Sequence, residues 1–230
     1  MSRTVILQSN YLPWRGYFDL IASADTLVIY DTVQFTKNDW RNRNRIKTAN
    51  GLQWITVPVH QRSLDQTINE TTIDGQHWVR KHVKSLEVHY AKAPYLGRFL
   101  PELRTHLEAG ETRLTGLNER LMRWIMGTMG IDTQICRSED IPHDGDPTDR
   151  LVDICKATNA TAYLSGPAAK AYLVEAKFAD SGIAVEWFDY SGYSDYPQLH
   201  GTFEPAVSTI DLLFNCGSDA VKYLSQDRST

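Results

Sequence analysis

Residues 8–21, QSNYLPWRGYFDLI, crowd Gln8, Asn10, Tyr11, Trp14 and Tyr17 around Pro13 and Gly16. Amides, phenols and an indole at that density hydrogen-bond and stack on a polar ligand, whereas packing a core calls for none of them. Further on, Asp31 and Gln34 follow a short apolar run. A carboxylate at the carboxyl end of a strand, in a partly desolvated crevice, can act as a general base or as an orienting acid; its alternative is a loop or helix cap. A third group lies in WRNRNRIK, where Arg41, Arg43 and Arg45 alternate with Asn42, Asn44 and Ile46. In an extended strand the three guanidiniums share one face. They then form a clamp for phosphate or carboxylate, the alternative being an edge strand that uses charge to prevent aggregation. The small residues Ser165 and Gly166 close TAYLSG at a strand-to-helix turn, a place where backbone amides meet anions. In this reading the arginines hold the anion, Gln8, Asn10 and Tyr11 orient the acceptor, and Asp31 with Asn10 serves the chemistry.

Other chemistries find less support. Cys136, Cys155 and Cys216 are odd in number, far apart and never in a CxxC pair, so they read as core residues and not as a disulfide framework or zinc cage. His82 and His89 fall two helical turns apart, too few ligands for a metal; they read as structural or surface groups, with Lys81 and His82 as a further possible reach into the crevice. The HDGD segment, residues 143–146, resembles a metal loop, but helix capping explains its acids more economically. No metal is therefore assigned. Neither GxGxxG nor GxxxxGK[ST] occurs, and no cofactor is assigned either.

The elements that must position these groups follow from pattern. Residues 4–7 form a short buried strand, residues 16–24 a helix, and TLVIYDTVQF, residues 26–35, a second strand apolar on both faces. Strand, loop, helix and strand make a βαβ unit, whose ligands lie beyond the carboxyl ends of the strands. Gln8, Asn10, Asp31 and Gln34 then converge on one crevice. Asn50-Gly51, between RNRIKT and LQWITVPV, signals a two-residue hairpin turn. Helical periodicity and glycine stops place a helical segment over about residues 76–130. After it the α/β rhythm returns: a strand in IDTQIC, a helix capped by Asp146 with Pro147 first and Asp149 in its first turn, a strand in TAYLSG followed by a helix from Pro167, a strand in GIAVEWFDY, and a last helix ending near Asn215 and Gly217. The expected fold is a Rossmann-like, mostly parallel α/β sheet in one domain over residues 1–230, with a helical insertion and a β-hairpin.

With 42% hydrophobic and 23% charged residues the 230-residue chain has enough apolar material for a substantial core. The first residues lack the apolar core of a signal peptide, and no run approaches ~18 apolar residues, so a soluble cytoplasmic protein without membrane partners is expected. The net charge of −4 conceals an asymmetry: residues 1–125 carry 17 basic against 12 acidic side chains, residues 126–230 carry 7 against 16. The basic half is suited to steer a small anionic substrate, although solvated faces of either sign are common.

In order along the chain, QSNYLPWRGYFDLI, ADTLVIYDTVQF, WRNRNRIKTANGLQWITVPV, WVRKHVKSLEVHYAKAPY, AYLSGPAAKAYL and PQLHGTFEPAVSTIDLLFNCG resemble the successive motifs of the WbqC-like family. The resemblance covers nearly the whole chain. It implies tailoring of a small molecule or activated sugar in bacterial O-antigen, related glycan or specialised-metabolite synthesis, without fixing the chemical step. The leading expectation from the residues is a transferase that moves an acyl, aminoacyl or glycosyl group onto an activated sugar or related metabolite, with a small anionic substrate such as a nucleotide sugar. Two departures stand out. Leu7 and Ser9 occupy positions where the family often has histidine and proline around the glutamine, and Thr32 follows Asp31 where paired acids are frequent. A more distant similarity links the first βαβ to nucleotidylyltransferases of the pantothenate synthetase type, without their HxGH signature. A non-catalytic module for a glycan or single-stranded nucleic acid, stacking on Trp14, Trp40 and Trp54, is the alternative from another class.

Overall fold

The computed structural model describes residues 1–224. In chain order its regular elements are β1 (Arg3–Leu7), α1 (Arg15–Ala22), β2 (Thr26–Ile29), β3 (Arg43–Thr48), β4 (Gly51–Thr56), β5 (Val59–His60), β6 (Thr72–Ile73), α2 (His77–His89), α3 (Leu96–Leu107), α4 (Leu114–Met129), β7 (Gln134–Arg137), α5 (Pro147–Ala157), β8 (Ala162–Ser165), α6 (Glu175–Ala179), β9 (Ala184–Trp187) and α7 (Thr209–Cys216). Five strands form one parallel sheet in the order β7-β2-β1-β8-β9. Counting only these strands along the chain, the order is 3-2-1-4-5, the Rossmann arrangement, and it reverses between β1 and β8.

The central strands β1, β2 and β8 carry apolar residues on both faces because both faces are covered. Val5, Leu27, Ile29 and Leu164 belong to one cluster with Phe18 and Ile21 of α1. Ile6, Val28 and Tyr163, pointing the other way, pack with Leu151, Ile154 and Cys155 of α5 and with Phe178 of α6. Residues between β2 and β7 form the insertion, and its Phe99, Leu103, Leu121 and Ile125 join the cluster of Val5. Helix α4 stops at Gly130, whose φ of 65° is the left-handed cap conformation. Helix α5 begins as its sequence demands: Asp146 accepts from the amides of Thr148 and Asp149, the Asp149 side chain completes a capping box, and Pro147 is first.

Several boundaries differ from the expectation. β2 ends at Ile29, and the chain then turns at Asp31 toward the insertion, where Gln34 bridges to Thr67. The hairpin exists, but Thr48 pairs with Gly51, so Ala49 and Asn50 form its turn. Gly51 alone has positive φ, 98°, which is why glycine stands one place after the turn. Arg41 precedes β3, off the strand that carries Arg43 and Arg45. After Pro167 the chain makes a 3-10 turn and not an α-helix.

From β9 an irregular arm returns across the molecule to α7. Its hydrogen bonds stitch the hairpin to the β1–α1 loop: Ser208 N–H donates to the Arg45 carbonyl and Thr209 N–H to the Pro13 carbonyl, both at 2.9 Å. Buried Asp211 accepts from the hydroxyls of Tyr90 and Tyr196, each at 2.7 Å, and from Gln198 at 2.8 Å. Arg15 is likewise committed to the arm, donating to the Ser194 carbonyl at 2.7 Å, while Tyr193 donates to Asp19 at 2.7 Å.

Candidate functional site

A parallel α/β sheet opens a crevice at the carboxyl ends of its strands where the strand order reverses. Here a cleft of about 320 Å³ lies there, lined by Leu7 at the end of β1 with Gln8 after it, and by Ser165 at the end of β8 with Gly166 after it. The loop of residues 8–14 forms one wall. Its main anchor is Ser9, whose N–H and hydroxyl donate to the two oxygens of Asp31 at 2.8 and 2.6 Å. Thr115 of α4 donates to the same carboxylate at 2.5 Å. Asn118, one turn further on α4, donates to the Ser9 hydroxyl at 3.1 Å and to the Arg41 carbonyl at 2.9 Å. With Ser9 drawn inward, its neighbours Gln8 and Asn10 face the cleft. A proline at position 9 would have neither of the donors that Asp31 meets here.

Arg41 reaches the cleft from the insertion and donates to the Asn10 side chain. The Tyr17 hydroxyl donates to the Gln8 carbonyl at 3.1 Å. The lining thus unites Gln8, Asn10, Tyr17, Arg41, Ser165 and Gly166, from segments up to 158 positions apart in sequence. It also includes Tyr30, Tyr163, Tyr172 and Tyr190, which sequence reasoning passed over. A signal existed for two of them: Tyr30 directly follows β2, and Tyr163 shares a strand face with Ser165, whose hydroxyl lies 3.3 Å from its own. Tyr190 comes from beyond β9. A Cβ on Gly166 would lie 3.2 Å from the Tyr190 hydroxyl, so glycine lets that tyrosine close over the strand end. Burial pushes the Tyr190 phenol up to about 12 and raises Tyr17, Tyr30 and Tyr163 as well, so these hydroxyls stay protonated at neutral pH and serve as hydrogen-bond donors.

The remaining residues singled out in sequence fall elsewhere. Asp31 is 3% exposed, behind the loop and outside the cleft lining. Burial raises its pKa, while the Ser9 and Thr115 hydrogen bonds and nearby Arg41 pull it down, and the net shift is upward. With its oxygens occupied by these donors it orients the loop. Tyr11 is fully buried and bonds His82 Nδ1 at 2.9 Å. His82 Nε2 lies 3.1 Å from the Thr56 carbonyl. A carbonyl only accepts, so Nε2 carries the proton and Nδ1 accepts from Tyr11. Burial depresses the His82 pKa to about 4, which keeps the imidazole neutral. Asn42 is buried too, donating to the Val57 carbonyl at 2.9 Å. Gln34 donates to the Leu64 carbonyl at 2.7 Å, and Lys81 stands exposed on α2; neither lines the cleft.

The arginine trio divides. Arg43 and Arg45 lie on the hairpin against tryptophans, Arg43 4.1 Å from the Trp54 ring and Arg45 5.5 Å from both Trp40 and Trp54. Trp14, folded over Gly16, packs on Tyr190 with ring centroids 5.3 Å apart, and its other side borders a second cavity, beyond the loop. Among the described residues no group of three or more histidine, cysteine or acidic side chains is placed to hold a metal. His143 instead directs Nδ1 to the Ile141 carbonyl at 2.7 Å. No described helix is long and apolar enough to cross a membrane.

The cleft therefore offers a guanidinium, two amides, a small hydroxyl and five tyrosines to a polar ligand, with no carboxylate or imidazole among the described residues that line it. No solved structure matches this chain. Among curated proteins it is 50% identical over 226 residues, 97% of this chain and 98% of the relative, to a Mycobacterium tuberculosis protein named Uncharacterized protein Rv1507c. The family model of the WbqC-like protein family matches residues 8–223, from the first residue of the cleft loop into the last described turn, and the chain belongs to that family.

Proposed function

We propose that this protein is a transferase that binds an activated anionic metabolite, such as a nucleotide sugar, in the cleft at the strand-order reversal and transfers an acyl, aminoacyl or glycosyl group. The observation that carries this reading is the composition of the cleft. Arg41 supplies a fixed cation for phosphate or carboxylate, and tyrosines supply flat apolar faces with hydroxyl donors, the combination that polar ring compounds need.

The same lining favours one style of catalysis. Among the described residues that line the cleft there is no carboxylate or imidazole, and a reaction that needs no general base fits that lining. Group transfer from a donor that is already activated, onto a nucleophile that attacks as its free base, needs none. Arg41 then stabilises negative charge as the leaving group departs, and Gln8, Asn10 and Ser165 orient the reactants. Asp31 acts through Ser9 as a positioning residue.

A thermal-shift screen tests the reading, because a ligand that binds only the folded state raises apparent stability. Nucleotide sugars are expected to stabilise the wild type, and Arg41→Ala is expected to reduce the shift. Stabilisation by ATP with magnesium alone would move the assignment to nucleotidyl transfer. A response confined to oligonucleotides and falling steeply with salt would replace it with a binding module.

A further inference from the structure

Beyond the 8–14 loop lies a second cavity of about 360 Å³. Three distant segments enclose it: Pro13 and Trp14 from the loop, Trp40 and Arg45 from the hairpin region, and Pro205 with Ala206 from the C-terminal arm. Asn10 lines both this cavity and the cleft.

Its walls are mostly aromatic or apolar, yet one cation stands among them. The Nε atoms of Arg45 and neighbouring Arg43 are shielded from solvent and have no hydrogen-bond partner among the described residues. The Arg45 guanidinium makes no hydrogen bond or ion pair among the described residues and packs on the Trp40 and Trp54 rings, so its other nitrogens are free to meet an anion in the cavity. Trp40 and Trp54, with ring centroids 5.3 Å apart, remain 40% and 42% exposed. Exposed indoles beside guanidiniums suit stacking on a planar group.

We propose that this cavity is a ligand site for a flat ring that carries an anionic group. The ring lies against Trp14 and Trp40, and the anion meets Arg45. A nucleotide and an aromatic carboxylic acid share this chemistry. Because Asn10 is common to both cavities, a ligand here adjoins one in the cleft, the arrangement that transfer between two substrates requires; that last step rests on the cleft being the first substrate's site, whereas the second site itself does not.

The test is isothermal titration of the full chain with uridine 5′-monophosphate, benzoate and inorganic phosphate. At least one of the two ring compounds is expected to bind more tightly than phosphate. That affinity should fall tenfold or more in Arg45→Ala and in Trp40→Ala, and Arg45→Lys should restore part of it. Binding of the nucleotide alone, or of benzoate alone, supports the site and identifies its source of ligand. Failure of both ring compounds to bind overturns it, and so does phosphate binding as tightly as the tighter of the two. Tryptophan fluorescence quenching by the bound ring gives a second readout, expected to shrink in the milder Trp40→Phe. Nucleotide-sugar binding that responds to Arg41→Ala, beside ring-compound binding indifferent to Arg45→Ala and Trp40→Ala, removes the second site and leaves the cleft. The opposite pattern removes the cleft and leaves the second site.

Discussion

The cleft on one side of the 8–14 loop is framed by strand ends, whereas the cavity on its other side is closed by a hairpin and a C-terminal arm arriving from different directions. The cleft follows from connectivity: a parallel sheet whose order reverses between β1 and β8 must part its loops there. The cavity depends on long-range stitching, the bonds of Ser208 and Thr209 to the carbonyls of Arg45 and Pro13. The sheet thus frames the cleft, and side-chain and backbone contacts between remote segments must assemble the cavity.

The largest expected effect would break the comparison, because it acts on the wall common to both sides. Asp31→Ala removes the acceptor of the Ser9 N–H, the Ser9 hydroxyl and the Thr115 hydroxyl. Unmet buried donors cost about 1–3 kcal/mol each, so a loss of ~3 kcal/mol or more in urea unfolding is expected, with Asp31→Asn milder because it keeps one accepting oxygen. Ligand affinity should fall with stability. Full stability of Asp31→Ala would show that Asp31 does not hold the loop.

The next effect comes from acid. His82 supports the loop through Tyr11 and the hairpin through Thr56. Its folded pKa of about 4 lies below the ordinary 6.5, so the unfolded chain binds this proton more readily. Stability from this group is therefore complete above about pH 6.5 and is lost as pH falls toward 4, roughly 3 kcal/mol in all. Chemical denaturation between pH 7 and 4 checks it: His82→Gln should be less stable at pH 7 but show a shallower acid decline. An identical decline in both proteins would assign it to other groups.

Single-sided changes sharpen the comparison. Arg41→Ala should weaken a cleft ligand by ~1.5–3 kcal/mol, the range for a hydrogen bond to a charged group, while Tm stays nearly constant. Lysine should rescue it only in part, since it lacks the planar fork. The smallest effect is expected for Trp54→Ala: loss of stacking on Arg43 at a half-exposed position, ~0.5–1 kcal/mol in stability, with cleft affinity unchanged. Loss of cleft affinity in Trp54→Ala would show that the two sides are not separate.

The chain's local patterns determined the elements of the fold. Apolar runs set β1, β2 and β8, the βαβ order placed Gln8 and Asn10 beyond a strand end, the pattern around Asn50-Gly51 marked the hairpin, and Asp146 with Pro147 started α5. These depend on backbone preference and on neighbours a few residues away, which a sequence displays directly. What side chains do depended on contacts that no local pattern encodes. Tyr11 and Tyr17 share one polar stretch, yet His82, 71 positions later, draws the first into the core, while the second lines the cleft. Asp31 looked like a base at a strand end and became a strut because Thr115 of α4 arrives beside it together with Ser9. Arg41 parted from Arg43 and Arg45 because β3 begins after it and Asn118 holds its carbonyl. Even the cleft tyrosines were assembled only when β8 crossed to the far side of β1, since strand pairing and helix packing bring together residues that the chain keeps far apart.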